Sequence, residues 1–173
     1  LKIQNSVFKE LEGNTVRAIY SRNNSHLSLQ DVVIKNLSNV NSNSAIYNYY
    51  TYLHVDGLVI KNISGSYYSG ILWRNYYGYE NEFRNIFVEN NQTSNGRLLY
   101  WYYPHANMDI ENLSIVGNTY NQDALYFYYG YPNSSNTYSY TFKNIVIAGN
   151  TTANNPGINA NNVAGNLDFI DRK

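Results

Sequence analysis

Cysteine is absent from the 173 residues. That excludes disulfides, thiolate nucleophiles and zinc–thiolate sites, and it leaves packing and hydrogen bonds as the sources of stability. Methionine occurs once and proline three times. Charge is scarce too: Asp, Glu, Lys and Arg make up 14% of the chain, against a usual ~25% for a globular domain. The 12 cations balance the 12 anions. With no basic run to displace counterions from a phosphate backbone, the composition argues against a nucleic-acid partner. It argues equally against a polybasic membrane-surface module. No apolar stretch approaches ~18 residues, so no membrane insertion is expected. No signal-peptide pattern is visible and the first residue is Leu1, so the chain reads as a mature or excised piece of a longer protein. G-x-S-x-G, P-loop and dinucleotide motifs are all missing, and no cofactor is expected.

The surplus lies in 30 Asn and 20 Tyr. Asn weakens helices and favours turns, while Tyr favours strands. With 43% apolar or aromatic residues, this is an all-β composition with many turns, not a disordered one.

Internal repetition is plain. LQDVVIKN (29–36), VDGLVIKN (55–62), FRNIFVEN (83–90), IENLSIVGN (110–118) and FKNIVIAGN (142–150) share one pattern. It runs apolar, any, Asn/Asp/Gly, apolar, any, apolar, then a turn containing Asn. The leading residues Ile3, Leu29, Val55, Phe83, Ile110 and Phe142 are spaced by 26, 26, 28, 27 and 32, and Phe169 begins a seventh copy. A second column, Ile19, Ile46, Ile71, Leu98, Leu125 and Ile158, opens strand-like runs such as LLYWYY (98–103). Both columns stretch in the same copy, so the extra residues fall in 130–137.

Repeats of ~27 residues with short strands and no helix predict a parallel β-helix, whose coils bury their apolar faces only by stacking. About six coils at ~4.8 Å per step give a column roughly 30 Å tall. Val32 with Ile34, and Ile145 with Ile147, should point inward. Asn36, Asn62 and Asn90, and likewise Asn85, Asn112 and Asn144, are placed to stack as amide ladders, to tolerate a left-handed turn, or both. The alternative fold is a leucine-rich repeat, whose spacing is matched at 110–118 and 142–150 but missed by one residue at Asn36 and Asn62.

These rungs resemble the right-handed parallel β-helix of the pectin-lyase-like superfamily across nearly the whole chain. The Asn- and Tyr-rich, low-charge rungs are most similar to its repetitive surface adhesins. The resemblance implies a single β-helix domain over residues 1–173, extracellular or at a cell surface. It implies a non-enzymatic structural or adhesive role. The alternative within the superfamily is a polysaccharide lyase or hydrolase. A pectate lyase would need an acidic calcium cluster beside an Arg or Lys base. Arg22 and Arg74 match in their coils, but the residues aligned with them, Tyr49, Trp101 and Tyr128, are not acidic. No catalytic residue carries over.

Other chemistry is thin. His26, His54 and His105 are isolated and read as surface histidines, with no metal motif among them. Asp109 and Glu111 share a strand face and Glu80 and Glu82 come close to the same column. Together they are an acidic patch, a calcium site, a catalytic pair or ordinary solvent-facing positions. Seven N-x-Ser/Thr sequons occur, at Asn23, Asn36, Asn62, Asn91, Asn112, Asn133 and Asn150. In a secreted chain Asn23, Asn91, Asn133 and Asn150 are the candidate glycan acceptors.

Two surface features point to partners. Trp73, Tyr76, Trp101, Tyr102 and Tyr128 are expected to form an aromatic band along one edge, suited to glycans or a protein partner. The competing reading puts half of these rings in the core. The second feature is the outward position of the main rung, apolar at Val7, Val33, Val59, Phe87 and Val146 and Ser at 114. Such a stripe marks an interface, so association with further copies or coils of itself is expected.

Overall fold

The computed structural model describes residues 1–13, 16–23, 25–40, 45–66, 71–74, 81–102, 107–130, 138–152, 155–163 and 165–170; within these, side chains are described except at 39–40, 71–74, 129–130, 138 and 155–170. The strands are β1 (Lys2–Lys9), β2 (Ile19–Arg22), β3 (His26–Val40), β4 (Ile46–Tyr49), β5 (Tyr52–Gly65), β6 (Ile71–Arg74), β7 (Asn81–Glu89) and β8 (Gln92–Thr93). They continue with β9 (Leu99–Tyr102), β10 (Met108–Val116), β11 (Thr119–Tyr120), β12 (Asp123–Gly130), β13 (Tyr138–Ala148), β14 (Thr151–Thr152), β15 (Asn155–Val163) and β16 (Gly165–Ile170).

All pairings are parallel, and no helix occurs among the described residues. The chain is a parallel β-solenoid, and the leucine-rich repeat is set aside because the second half of each copy is strand and no helix occurs among the described residues. The long rungs β1, β3, β5, β7, β10, β13 and β16 stack in one sheet, and β2, β4, β6, β9, β12 and β15 in a second. The leading residues register as expected, Ile3 on Leu29, then Val55, Phe83, Ile110, Phe142 and Phe169. A short third side is paired only from the end of β3 through β5, β8 and β11 to β14. The stack is therefore three-sided for about four turns, fewer than the six coils that repeat spacing alone suggests.

Each rung bends where a residue takes the left-handed conformation. One bend column is Asn5, Asp31, Gly57, Asn85, Asn112 and Asn144; the next is Glu10, Asn36, Asn62, Asn90, Gly117 and Gly149. Asn, Asp and Gly suit these sites because they carry positive φ at least cost. The bend also sets the period: Leu29 points in, and after the bend residue Val32 and Ile34 point in again.

The asparagines also bond to one another. Asn62 Nδ2 donates to Asn36 Oδ1 (3.1 Å), Asn112 to Asn85 (2.9 Å) and Asn144 to Asn112 (2.9 Å). Gly57 offers no side chain, so Asn85 Nδ2 instead reaches Asp56 Oδ1 at 2.6 Å. Both readings therefore hold together for Asn36 with Asn62 and for Asn85, Asn112 and Asn144, whereas Asn90 takes the left-handed turn without joining the Asn36–Asn62 pair.

Gly57 is held to glycine by more than its φ of +78°. A Cβ there would lie 2.6 Å from Asp31 Oδ1 and 3.1 Å from the Asp31 amide nitrogen. Gly57→Ala is expected to cost about 2–3 kcal/mol, against about 1 kcal/mol for Gly149→Ala, whose Cβ would meet nothing nearer than 3.9 Å. Denaturant unfolding of the two variants checks this; equal losses would contradict it.

The core fills the space between the sheets. Leu27, Leu29, Val32, Ile34, Val55, Ile60, Phe83, Ile110, Phe127 and Tyr140 are among its buried members. Each such side chain contributes ~1.5–3 kcal/mol on burial. Ile145 and Ile147 point inward but remain partly exposed.

Candidate functional site

The outer face of the second sheet carries the chemistry. Along β2, β4, β9 and β12 side chains alternate inward and outward. In register, Ile19, Ile46, Ile71, Leu99, Leu125 and Ile158 form one column. Leu99, not Leu98, holds the fourth place, although Leu98 is also buried. The outward columns are Tyr20, Tyr47, Tyr100 and Tyr126, and Arg22, Tyr49, Tyr102 and Tyr128.

This one-residue shift corrects the expected aromatic band, because a slip of one residue flips every side chain to the other face. Trp101 aligns with Trp73 and Phe127 and is 1% exposed. It stacks on Phe127 (5.0 Å between centroids, 14°) and meets Phe83 edge-on (5.5 Å, 86°). It belongs to the core and cannot contact a ligand. Tyr102 and Tyr128 do face outward, partly exposed and stacked at 5.2 Å and 23°. The side chain of Trp73 and all of Tyr76 lie outside the described residues.

Tyr47, Tyr49, Tyr100 and Tyr126 fall in the tyrosine-rich runs 47–52, 100–103 and 126–131 that the sequence placed on this edge, but Tyr20 and the arginines were not foreseen. Tyr20, at 50% exposure, stacks on Tyr47 at 5.5 Å, and Tyr47 lies 6.2 Å from Tyr49. Tyr100 and Tyr126 form a nearly buried layer under Tyr47, Tyr102 and Tyr128. Guanidinium groups sit on these rings. Arg17 lies 5.1 and 4.9 Å from Tyr20 and Tyr47, Arg22 lies 5.7 Å from Tyr49, and Arg97 lies 3.8 Å from Tyr126. Cation–π contacts of this kind add ~0.5–2 kcal/mol each. Arg97 is also fixed by its Nε, which donates to the buried Asp123 Oδ2 at 2.9 Å. Nearby, burial, aided by the Asp123 charge, pushes the Tyr120 hydroxyl up to about 12, so it stays protonated at neutral pH. The alternation of Tyr with small or apolar residues from 19 to 22 and 46 to 49 was the available signal for this face.

A second feature lies on the first sheet. Glu82 aligns with His54 and Asp109, while Arg84 aligns with Asp56 and Glu111. Glu82 Oε2 lies 3.4 Å from His54 Nδ1 and 3.7 Å from Arg84 Nη2, and Arg84 Nε lies 3.8 Å from Glu111. Glu82 and Asp109 therefore stand next to each other in one column, as expected, while in the neighbouring column Arg84 separates Asp56 from Glu111. Glu82 and Asp109, with Asn81, Asn107 and Thr141, line an open cleft of about 260 Å³. No set of three potential metal ligands converges among the described residues. Glu80 and His105 lie outside them, and His26 is exposed against Tyr52.

The sequons separate by role. Asn91 and Asn150 are not free acceptors: they belong to an internal ladder with Asn118. Asn118 Oδ1 accepts from both the main-chain N–H and Nδ2 of Asn91, at 2.9 Å each, and Asn150 Oδ1 accepts likewise from Asn118, at 2.8 and 3.0 Å. A glycan on Asn91, which is 2% exposed, is incompatible with this packing. Asn23 is exposed at φ +61° and remains an open acceptor. Asn133 lies outside the described residues.

The apolar stripe is real as an outward column: Val7, Val33, Val59, Phe87, Ser114 and Val146 stand in register. Val7, Phe87 and Val146 are 57%, 37% and 49% exposed. No protein-family model matches the chain, and no curated protein or solved structure matches it either.

Proposed function

We propose that this chain is a non-enzymatic module of an extracellular or cell-surface β-solenoid, of the adhesin-like kind within the pectin-lyase-like group. Its tyrosine–arginine face contacts glycans or a protein partner, and its apolar stripe packs against further copies. The observation that carries this reading is the outward tyrosine columns with guanidinium groups laid on their rings. Stacked rings turn their faces to one another and leave their edges for a ligand. Contact then runs through edge-on packing, phenol hydroxyls and Arg donors, a chemistry suited to recognition surfaces.

The test is binding to an immobilised glycan panel and to candidate protein ligands with Tyr102→Ala, Tyr128→Ala and the double variant. Loss of about 1–3 kcal/mol in binding, with an unchanged circular dichroism spectrum, is expected from truncating recognition aromatics. Unaltered binding by the double variant would remove this face from the site. The rival reading, a polysaccharide lyase or hydrolase, is favoured by one observation, the Glu82–Asp109 cleft. Release of unsaturated or reducing ends from pectin or alginate, abolished by Glu82→Gln or Asp109→Asn, would replace the adhesive reading with it.

A further inference from the structure

The stripe is half of a two-column face, and the second column has a polarity. Next to Val7, Val33, Val59, Phe87, Ser114 and Val146 run Lys9, Lys35, Lys61, Glu89, Val116 and Ala148, each in register with the next. Three lysines occupy one half of this face; one glutamate and two apolar residues occupy the other. Lys9 lies 3.8 Å from Glu10 and Lys61 has Glu89 as its neighbour on the next rung, but Lys35 stands between two lysines, and like charges stacked in one column repel.

We infer that this face pairs two copies of the chain antiparallel, about a two-fold axis between the rungs of Val59 and Phe87. The inference rests on the reading that the stripe packs copies together, and adds their orientation. In this arrangement Val59 meets Phe87 of the second copy, Val33 meets Ser114 and Val7 meets Val146. Lys61 meets Glu89 twice, once in each direction. Val116 and Ala148 lie against the aliphatic stems of Lys35 and Lys9, whose ammonium groups reach water at the rim. No like charges oppose. A parallel pair would instead gather all six lysines at one end of the assembly and, because it reverses the order of the columns, set the apolar column of one copy against the lysine column of the other.

Six rungs at ~4.8 Å and a width of roughly 10 Å give about 300 Å² per copy, below the ~800 Å² per partner of a standard interface. The pairing is therefore reversible, with dissociation in the micromolar range or weaker.

The absence of cysteine makes the test unambiguous. Val7→Cys and Val146→Cys, both at exposed positions, are oxidised separately and as an equimolar mixture of the whole chain. Antiparallel pairing gives a disulfide dimer in the mixture and little in either alone. Glu89→Lys should weaken association about tenfold in sedimentation equilibrium, equivalent to about 1.4 kcal/mol, and Lys61→Glu combined with Glu89→Lys should restore it. Dimers that cross-link in Val7→Cys alone overturn the orientation while leaving self-association standing. A monomer at every concentration up to ~1 mM overturns both.

Discussion

Asn118→Ala lowers the stability of the chain by about 3–4 kcal/mol and its melting temperature by about 10 °C, at ~2–4 °C per kcal/mol for a domain of this size. The side chain is 1% exposed and joins three coils. Its Oδ1 accepts two bonds from Asn91, and its Nδ2 donates to Val88 O at 3.0 Å, Val116 O at 3.1 Å and Asn150 Oδ1. Alanine forfeits these bonds, each worth ~0.5–1.5 kcal/mol net, and takes from the buried Asn91 main-chain N–H the acceptor it has in Asn118 Oδ1, although the Asn91 side chain keeps Ile60 O and the Ile63 N–H. Asn118→Asp is expected to be worse at neutral pH. A carboxylate accepts from Asn91 but cannot donate to the carbonyls, and it buries a charge.

The ladder acts as a unit, so its members should not add. Asn91→Ala already removes one of the two donors to Asn118 Oδ1, its Nδ2, while the main-chain N–H of residue 91 remains, and the Asn91→Ala, Asn118→Ala double variant should lose less than the sum of the singles. Thermal and denaturant unfolding of the four proteins gives the coupling. A single-variant loss within 0.5 kcal/mol of zero would mean that water replaces the amide and that the ladder is not structural.

How far the sequence carried this is clearest at these asparagines. The repeat was legible because apolar residues recur at one register: Ile3 to Phe169 align as their spacing predicts. The turn asparagines looked misaligned, falling at 36 and 62 in some copies but at 118 and 150 in others. The structure resolves this into two roles one residue apart. Asn36, Asn62 and Asn90 take the left-handed bend, whereas Asn91, Asn118 and Asn150 follow it and point inward, beyond a left-handed Gly in the last two copies. The same inward column begins as Leu37 and Ile63. Apolar side chains in the early coils and amides in the later ones fill one column, which hydrophobic patterning alone cannot align. The aromatic face was blurred for a related reason. In LLYW two adjacent leucines compete for one inward place, and only the pairing of Leu99 with Leu125 decides between them.

That choice decides what Trp101 does. As a core residue, Trp101→Ala should cost about 3–5 kcal/mol through loss of burial and the cavity left behind. It would affect ligand binding only by unfolding the protein. Trp101→Phe should cost little, within about 1.5 kcal/mol of the parent, although it removes a larger ring. The indole Nε1 is buried with no hydrogen-bond partner, so part of what tryptophan gains by area it loses to an unsatisfied donor. Phenylalanine already fills the equivalent place one coil on, at Phe127, and would keep the ring packing that Trp101 makes with it and with Phe83. Urea unfolding separates these outcomes. If Trp101→Phe loses as much as Trp101→Ala, the indole nitrogen is bonded in solution and the cost of its burial disappears. If Trp101→Ala is instead as stable as the parent but loses its ligand, residue 101 faces solvent and the register of the second sheet is set by Leu98.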